Sequence, residues 1–417
     1  MTAKDIEIMA PVGSYESLMA AIQGGANSVY FGVGKLNMRS RSSQNFTIED
    51  LEKISAICHQ HNLKSYITLN TIIYDKELEE MKEVVNAAKK NNISAIIASD
   101  LSVIQYARSH GVDVHMSTQT NITNLEAVKF WSYFADVMVT ARELTLKDVA
   151  SITRKIEEEQ IKGPSGNLVQ IEIFVHGALC MAVSGKCYLS LDNMNSSANR
   201  GACLQLCRRG YKVTDLDSEI ELEIDNEYIM SPKDLKTIHF LDQILNAGVK
   251  VLKIEGRGRS ADYVKVVSRC YREAADAYFV GNFTPHNIEK WENQLATVYN
   301  RGFWDGYYLG QKLGEWTPQY GSMATRRKIY IGKVTNYFSQ IGVAEIKIET
   351  HDLAVNDEIQ ITGPTTGVLE IKISDVRVGD NSVEKAVKGD FCSIATNGLV
   401  RRMDKVYKVV DAEPEND

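Results

Sequence analysis

Eight short apolar runs, each followed by a stretch of helical period, constrain this chain more than any other feature. They lie near Ile6–Ala10, Ser28–Gly32, Lys64–Leu69, Ala95–Ala98, Val112–Met116, Asp136–Val139, Gln170–Val175 and Val249–Ile254. Short apolar runs bounded by turn residues read as buried strands, and the segments between them place apolar residues three and four apart. In Lys76–Asn91, Leu78, Met81, Val84, Val85 and Ala88 share one helical face while Glu and Lys take the other. Strand then helix, eight times over, predicts an α/β fold of the TIM-type (β/α)8 barrel class. Such a barrel carries its functional groups just after the strands.

The residues at those positions are polar and rich in arginine. Asn37, Arg39 and Arg41 follow the second run, Asn70 the third, Asp100 the fourth, and Ser117, Gln119 and Asn121 the fifth. Arg142 and Glu143 follow the sixth, His176 the seventh, and Glu255, Arg257 and Arg259 the eighth. Asp100 and Ser117 suit helix caps equally well. Arg39, Asn70, Gln119 and Arg257 are expected to bind a small substrate at this mouth. His176, Glu255 and Arg142 are the expected catalytic groups, with His176 placed to shuttle a proton near neutral pH.

Between the seventh and eighth runs lies a long insertion, residues 177–248, of the kind that roofs a barrel mouth. It holds Cys180, Cys187, Cys203 and Cys207 in the pattern C-x6-C-x15-C-x3-C, whereas Cys58, Cys270 and Cys392 are scattered singly. An odd cysteine count and a start, MTAKDIEIMAPVG, that lacks an export signal point to a reducing, cytoplasmic setting and away from disulfides. Four thiolates can close a tetrahedral zinc site or hold an iron–sulfur cluster. Zinc ribbons use tight C-x2-C knuckles, which this stretch lacks, while Gly185 and Gly201 leave the room a cluster needs. The iron–sulfur reading is preferred; structural zinc, and cysteines acting as small buried hydrophobes, stay open.

The barrel domain is expected over residues 1–285, closed by helices at Tyr263–Tyr278 and Asn287–Val298. Residues 286–325 form a helical and aromatic connector in which Asn300–Trp316 reads as a packed loop. Alternating patterning over residues 326–412 predicts six or seven strands in a small C-terminal β-barrel, and residues 413–417 a disordered tail. No run approaches the roughly 18 apolar residues that span a bilayer. A net charge of −7 argues against nonspecific coating of nucleic acid, yet basic residues are bunched at Arg208 and Arg209, at Arg326 to Lys328, and at Arg401 and Arg402.

Several stretches carry a family resemblance. They are APVGS (Ala10–Ser14), GGANSVYFGVG (Gly24–Gly34), HMSTQTN (His115–Asn121), ARELTL (Ala141–Leu146), EIFVHGALCMAVSGKC (Glu172–Cys187), NRGACLQLCRR (Asn199–Arg209), SPKDL (Ser231–Leu235), LKIEGR (Leu252–Arg257) and NRGF (Asn300–Phe303). In this order, from Ile6 to about Gly310, the chain resembles the collagenase-like peptidase family, and within it the tRNA-hydroxylating branch. The resemblance implies oxygen-independent conversion of a tRNA wobble uridine to 5-hydroxyuridine. It also implies a cluster of the 4Fe–4S type on Cys180, Cys187, Cys203 and Cys207, with prephenate as hydroxyl donor. Relatives hydroxylate a ribosomal RNA cytidine or a quinone ring. A peptidase or hydrolase with structural zinc is the alternative class. The residues support it poorly: there is no HExxH, and pairing Cys180 with His176 leaves three cysteines unused. Prephenate's two carboxylates suit arginine forks at Arg39, Arg142 and Arg257. A tRNA backbone would lie on Arg208, Arg209, Arg326 and Arg327.

Overall fold

The computed structural model describes residues 2–41, 44–211 and 228–412. Eight parallel strands form a closed barrel: β1 (Glu7–Pro11), β2 (Ser28–Gly32), β3 (Lys64–Leu69), β4 (Ala95–Ala98), β5 (Val114–Met116), β6 (Val137–Val139), β7 (Gln170–Gly177) and β8 (Val251–Ile254). Each pairs with the next from β1 to β7, and the ring closes where Val251 of β8 stands opposite Glu172 of β7 and Glu7 of β1. Four strands (β1, β5, β6 and β8) begin one or two residues later than the sequence suggests. In each case the extra residues are loop at the amino-terminal rim.

Strand alternation sorts the side chains. Ile8, Ala10, Val29, Phe31, Ile67, Leu69, Ile96 and Ala98 belong to one large apolar core shared with the helices. Met9, Tyr30, Tyr66, Ala95, Ile97, Val137 and Val251 form a separate cluster along the axis, together with buried Glu7, His115, Glu172 and Lys253. Helix entries follow capping chemistry. The carboxylate of Asp100 accepts from the Ser102 amide at 2.9 Å, so Asp100 serves as the cap of Leu101–Ser109.

Two short strands extend the sheet at the mouth. Asp234–Lys236 pairs antiparallel with the end of β7, and Phe303–Trp304 runs parallel to it. The Asn300–Trp316 stretch therefore contributes a strand where a loop was expected, because two residues are too few to show alternation. Trp291, Trp304 and Tyr308 sit in the barrel core, so the connector packs as part of the barrel.

The C-terminal residues form ten strands. Eight make one antiparallel sheet ordered Gly367–Lys372, Glu358–Gly363, Lys405–Asp411, Arg326–Phe338, Val343–Ile348, Phe391–Ala395, Val376–Val378, Asn381–Val383, and two make the ribbon Asp352–Ala354 with Lys385–Val387. They enclose a core of their own around Ile331, Ile346, Ile361 and Val406. Several three-residue strands fall below what sequence alternation reveals. This unit docks on the helices Tyr15–Gln23 and Ala261–Phe279. Gln23 Nε2 donates to the Thr366 carbonyl (2.9 Å), Lys265 Nζ to the Val368 carbonyl (3.1 Å), and Val368 enters the barrel core. Among the described residues, no helix is long and apolar enough to cross a membrane. The expected tail, residues 413–417, lies outside the described residues, as do residues 212–227 of the insertion.

Candidate active site and cysteine-lined cavity

The insertion folds back over the barrel mouth and is tied to three loops beneath it. Arg200 pairs with Glu77 and stacks on Tyr74 at 3.8 Å, which anchors the insertion to the loop after β3. Gly201, at φ +74°, lies so close to the loop after β2 that a Cβ there would stand 2.1 Å from the Asn37 carbonyl oxygen. Gly185, at φ +77°, sits against Gln119 of the loop after β5. These contacts bring Cys187 and Cys203 over the barrel opening.

All four insertion cysteines line one cavity of about 540 Å³, together with Arg39, Arg208, Glu255 and Arg259. Burial pushes the Cys207 thiol up; Arg208 counters this, and Cys180, Cys203 and Cys187 add to it, so the four sulfurs share one electrostatic neighbourhood. Among the described residues, no three His, Cys, Asp or Glu side chains converge closely enough to hold a single ion. Four thiols on the wall of one cavity are a donor set that would suit a multi-iron cluster.

A second cavity, about 110 Å³, lies beneath in the barrel mouth and shares Arg39, Cys180, Cys187, Cys203 and Glu255 with the first. Asn70, Gln119, Arg142 and Arg257 line it too, so every expected substrate-binding residue reaches this space. Glu255 organises it. Arg39 donates to Glu255 Oε1 through Nε (3.2 Å) and Nη2 (2.7 Å). Burial would raise the Glu255 carboxyl, but Arg39, Arg142 and Arg257 outweigh it and hold it at about 2. Arg257 is buried, its Nη1 donating to Thr68 Oγ1 (2.7 Å) and Asn37 Oδ1 (3.1 Å), and burial lowers its guanidinium to about 10. Arg142 stacks on Phe174 at 3.9 Å and donates from Nη1 to the Ala178 carbonyl (3.1 Å), while its buried Nε lacks a protein partner. Asn70 accepts from the Met38 amide (3.2 Å) and donates to Ser117 Oγ (3.3 Å), which in turn donates to Gln119.

Two expectations change. His176 does not line this cavity. Period-2 alternation from Phe174 would aim it inward, but the register between β7 and β8 shifts between Phe174 and His176 and turns the imidazole outward. It lies fully buried among Tyr263, Tyr271 and Phe303, its Nδ1 3.5 Å from the Tyr271 hydroxyl, and burial drives it down to about 3. A neutral, enclosed imidazole supports the wall and does not shuttle protons at the mouth. Arg208 is likewise mostly internal, donating to the carbonyls of Pro232 (2.6 Å) and Leu179 (2.5 Å) and to Ser231 Oγ (3.1 Å).

The remaining basic residues border surface grooves. One of about 590 Å³ is lined by Arg41, Arg208, Arg209, Arg301, Tyr320 and Cys203. Another, about 970 Å³, lies between the barrel and the C-terminal unit and includes Arg326 and Arg327. The two share Tyr299 and Gln319. Arg326 is paired with Glu358 (2.6 Å), while Arg327 is exposed.

Ser117, weighed as a helix cap, lines the mouth cavity as well, and so do Tyr30, Thr68 and Lys253, which were not anticipated as site residues. The one available signal was Lys253, a lone charge in the apolar run VLKI.

A protein named "Collagenase" from Porphyromonas gingivalis is 60% identical over 98% of this chain and 99% of its own length. "tRNA hydroxylation protein P1" of Bacillus subtilis is 31% identical over 87% of this chain and 84% of its own. "23S rRNA 5-hydroxycytidine C2501 synthase" of Escherichia coli is 32% identical over 65% of this chain and 39% of its own length. The model of peptidase family U32 matches residues 13–318, which contain all four insertion cysteines and both mouth cavities, and this chain belongs to that family.

Proposed function

We propose that this chain hydroxylates RNA, converting a tRNA wobble uridine to 5-hydroxyuridine in the cytoplasm. An iron–sulfur cluster of the 4Fe–4S type would be held by Cys180, Cys187, Cys203 and Cys207, with prephenate as hydroxyl donor. The observation that carries the reading is the wall common to the two cavities, where Cys180, Cys187 and Cys203 stand beside Arg39 and Glu255. When bound, such a cluster supplies redox and Lewis-acid chemistry at that wall. The chain's own residues do the positioning. Arg142 and Arg257 present guanidinium groups to a small dianion, and the unpartnered Nε of Arg142 calls for an acceptor. Glu255 fixes Arg39 between the cavities. RNA would reach Cys203 along the groove of Arg41 and Arg209. Relatives named for tRNA and ribosomal RNA hydroxylation support an RNA substrate.

Deleting the gene and measuring wobble uridines by mass spectrometry tests this reading. Loss of 5-hydroxyuridine, restored by the intact gene, is the expected result; an unchanged modification profile would remove the hydroxylase assignment. Arg257→Lys keeps the charge but loses the planar fork, so the apparent KM for prephenate should rise about tenfold or more at constant iron content. A lysine variant with the parent's KM would make Arg257 a purely structural residue that ties Asn37 to Thr68 of β3.

For RNA binding, Arg327→Ala should weaken tRNA affinity and flatten its log–log salt dependence by roughly one unit. Arg326→Ala should do less, because Glu358 already neutralises Arg326. Affinity and slope unchanged in the double variant would exclude the C-terminal cleft from RNA binding.

Peptide-bond hydrolysis is a second reading, favoured by the name of the Porphyromonas gingivalis relative. The geometry opposes a thiol protease, because His176 faces the outer helix and not Cys180. Gelatin cleavage by the purified protein, abolished by Cys180→Ser, would establish it.

A further inference from the structure

The axis of a (β/α)8 barrel is ordinarily filled with branched apolar side chains. Here it holds a buried ion pair that the proposed function does not use. Lys253 Nζ of β8 lies 2.6 Å from Glu172 Oε1 of β7, with side-chain exposures of 5% and 0%. A buried pair gains little for stability over apolar residues of the same size, so its presence on the axis asks for another reason.

Lys253 is the member that reaches the mouth cavity. Its ammonium lies over the rings of Tyr30 (4.7 Å) and Phe174 (5.5 Å), so aromatic faces accompany it on the cavity side. Glu172 uses one oxygen on Lys253, and its Oε2 is buried without a protein partner. Below the pair the axis stays polar. Tyr66 donates to Glu7 Oε1 (2.8 Å), Lys64 donates to Glu7 Oε2 (2.7 Å), and the His115 ring packs 4.5 Å from Tyr66 with its Nδ1 also unpartnered.

We propose that Lys253 is a catalytic acid–base at the cavity floor, touching the small substrate, and that Glu172 is its positioning partner and shares its proton. In the step, an Nζ–H bond of Lys253 breaks and the proton bonds to an oxygen of the bound substrate, while the N–H electron pair remains on nitrogen. Lys253 is reprotonated from water, so the step is a proton transfer alone, with protons balanced over a turnover and no oxidation state changed by it. No electrons move through the pair.

The charged and titratable groups that interact with Glu172 are Lys253 from β8, Glu7 from β1 and Tyr66 from β3, while His115 from β5 interacts with Glu7 and Lys253. Burial raises the Glu172 carboxyl, Lys253 opposes that rise, and Glu7 adds to it. Burial also keeps His115 neutral, at about 4, against the pull of Glu7. Lys253 is thus the one cationic group of this set placed both against Glu172 and at the cavity.

This inference rests on the hydroxylase reading only for its activity measurement. In that measurement, Lys253→Met should lower kcat about a hundredfold or more, a larger factor than the accompanying rise in KM for the dianion, with tRNA affinity and iron content near the parent's. Glu172→Gln should shift the pH profile of kcat. The apolar double variant Lys253→Met with Glu172→Leu should recover the parent's melting temperature yet stay inactive. Recovery of turnover along with stability would overturn the proposal, because the pair would then be structural.

The second measurement needs no substrate. Infrared difference spectra of the parent minus Glu172→Gln, across about pH 5 to 9, should show a carboxyl band that gains and loses its proton, and Lys253→Met should move that transition. A carboxylate that stays ionised throughout and ignores Lys253 would sink the proposal even if the RNA reading failed on its own test.

Discussion

Serine at any one of Cys180, Cys187, Cys203 or Cys207 is expected to strip iron from anaerobically purified protein and to abolish tRNA hydroxylation. Each thiol lines the same cavity, and removing one ligand leaves an iron open to solvent and oxidation. The remaining cysteines supply the control. Cys58, Cys270 and Cys392 are fully buried, and burial pushes each thiol up to about 12, so they behave as small hydrophobes. Alanine at those three should cost stability without changing iron per chain. Iron and optical absorption measured side by side decide the matter. Four serine variants that all keep full iron and activity would end the ligand assignment, and colourless protein with stoichiometric zinc would move the site to the structural-zinc class.

Glu255→Gln is expected to destabilise the protein and to disorder the mouth together. The folded carboxyl sits at about 2 against its ordinary value of 4.5, a difference worth about 3 kcal/mol in favour of the folded state. Because the folded value lies below the unfolded one, this contribution is complete above about pH 4.5 and disappears as pH falls toward 2. Denaturant unfolding of the parent should therefore lose stability across that window, and the glutamine variant should lose less while starting lower. Arg39 would also lose its charged acceptor beside Cys180, so hydroxylation should fall at least about tenfold. A variant with the parent's stability and the same acid profile would show that Arg39, Arg142 and Arg257 do not depend on this carboxylate.

Much of this was legible in the residues. Each strand of the barrel is a short apolar run ending in turn residues, and burial between axis and helices demands that pattern, so strand positions and the (β/α)8 order followed from periodicity alone. The insertion cysteines stood out because four thiols among Gly, Ser, Asn and Arg cannot serve as an apolar face. The mouth arginines were legible for the same reason: strands point their exit loops one way, so sequence position after a strand is also spatial position. Side-chain direction at the end of β7 was not legible. One register shift between Phe174 and His176 turns the histidine out of the site, and a bulge leaves no mark on local alternation. Nor could sequence say that Arg208 would serve backbone carbonyls while Arg209 stays at the groove, since that depends on where Leu179 and Pro232 come to rest. The axial pair shows the division most clearly. Glu172 and Lys253 are 81 residues apart and each reads as an isolated charge in an apolar strand. Only closure of the barrel, which sets β7 against β8, places the two charges 2.6 Å apart beneath the cavity.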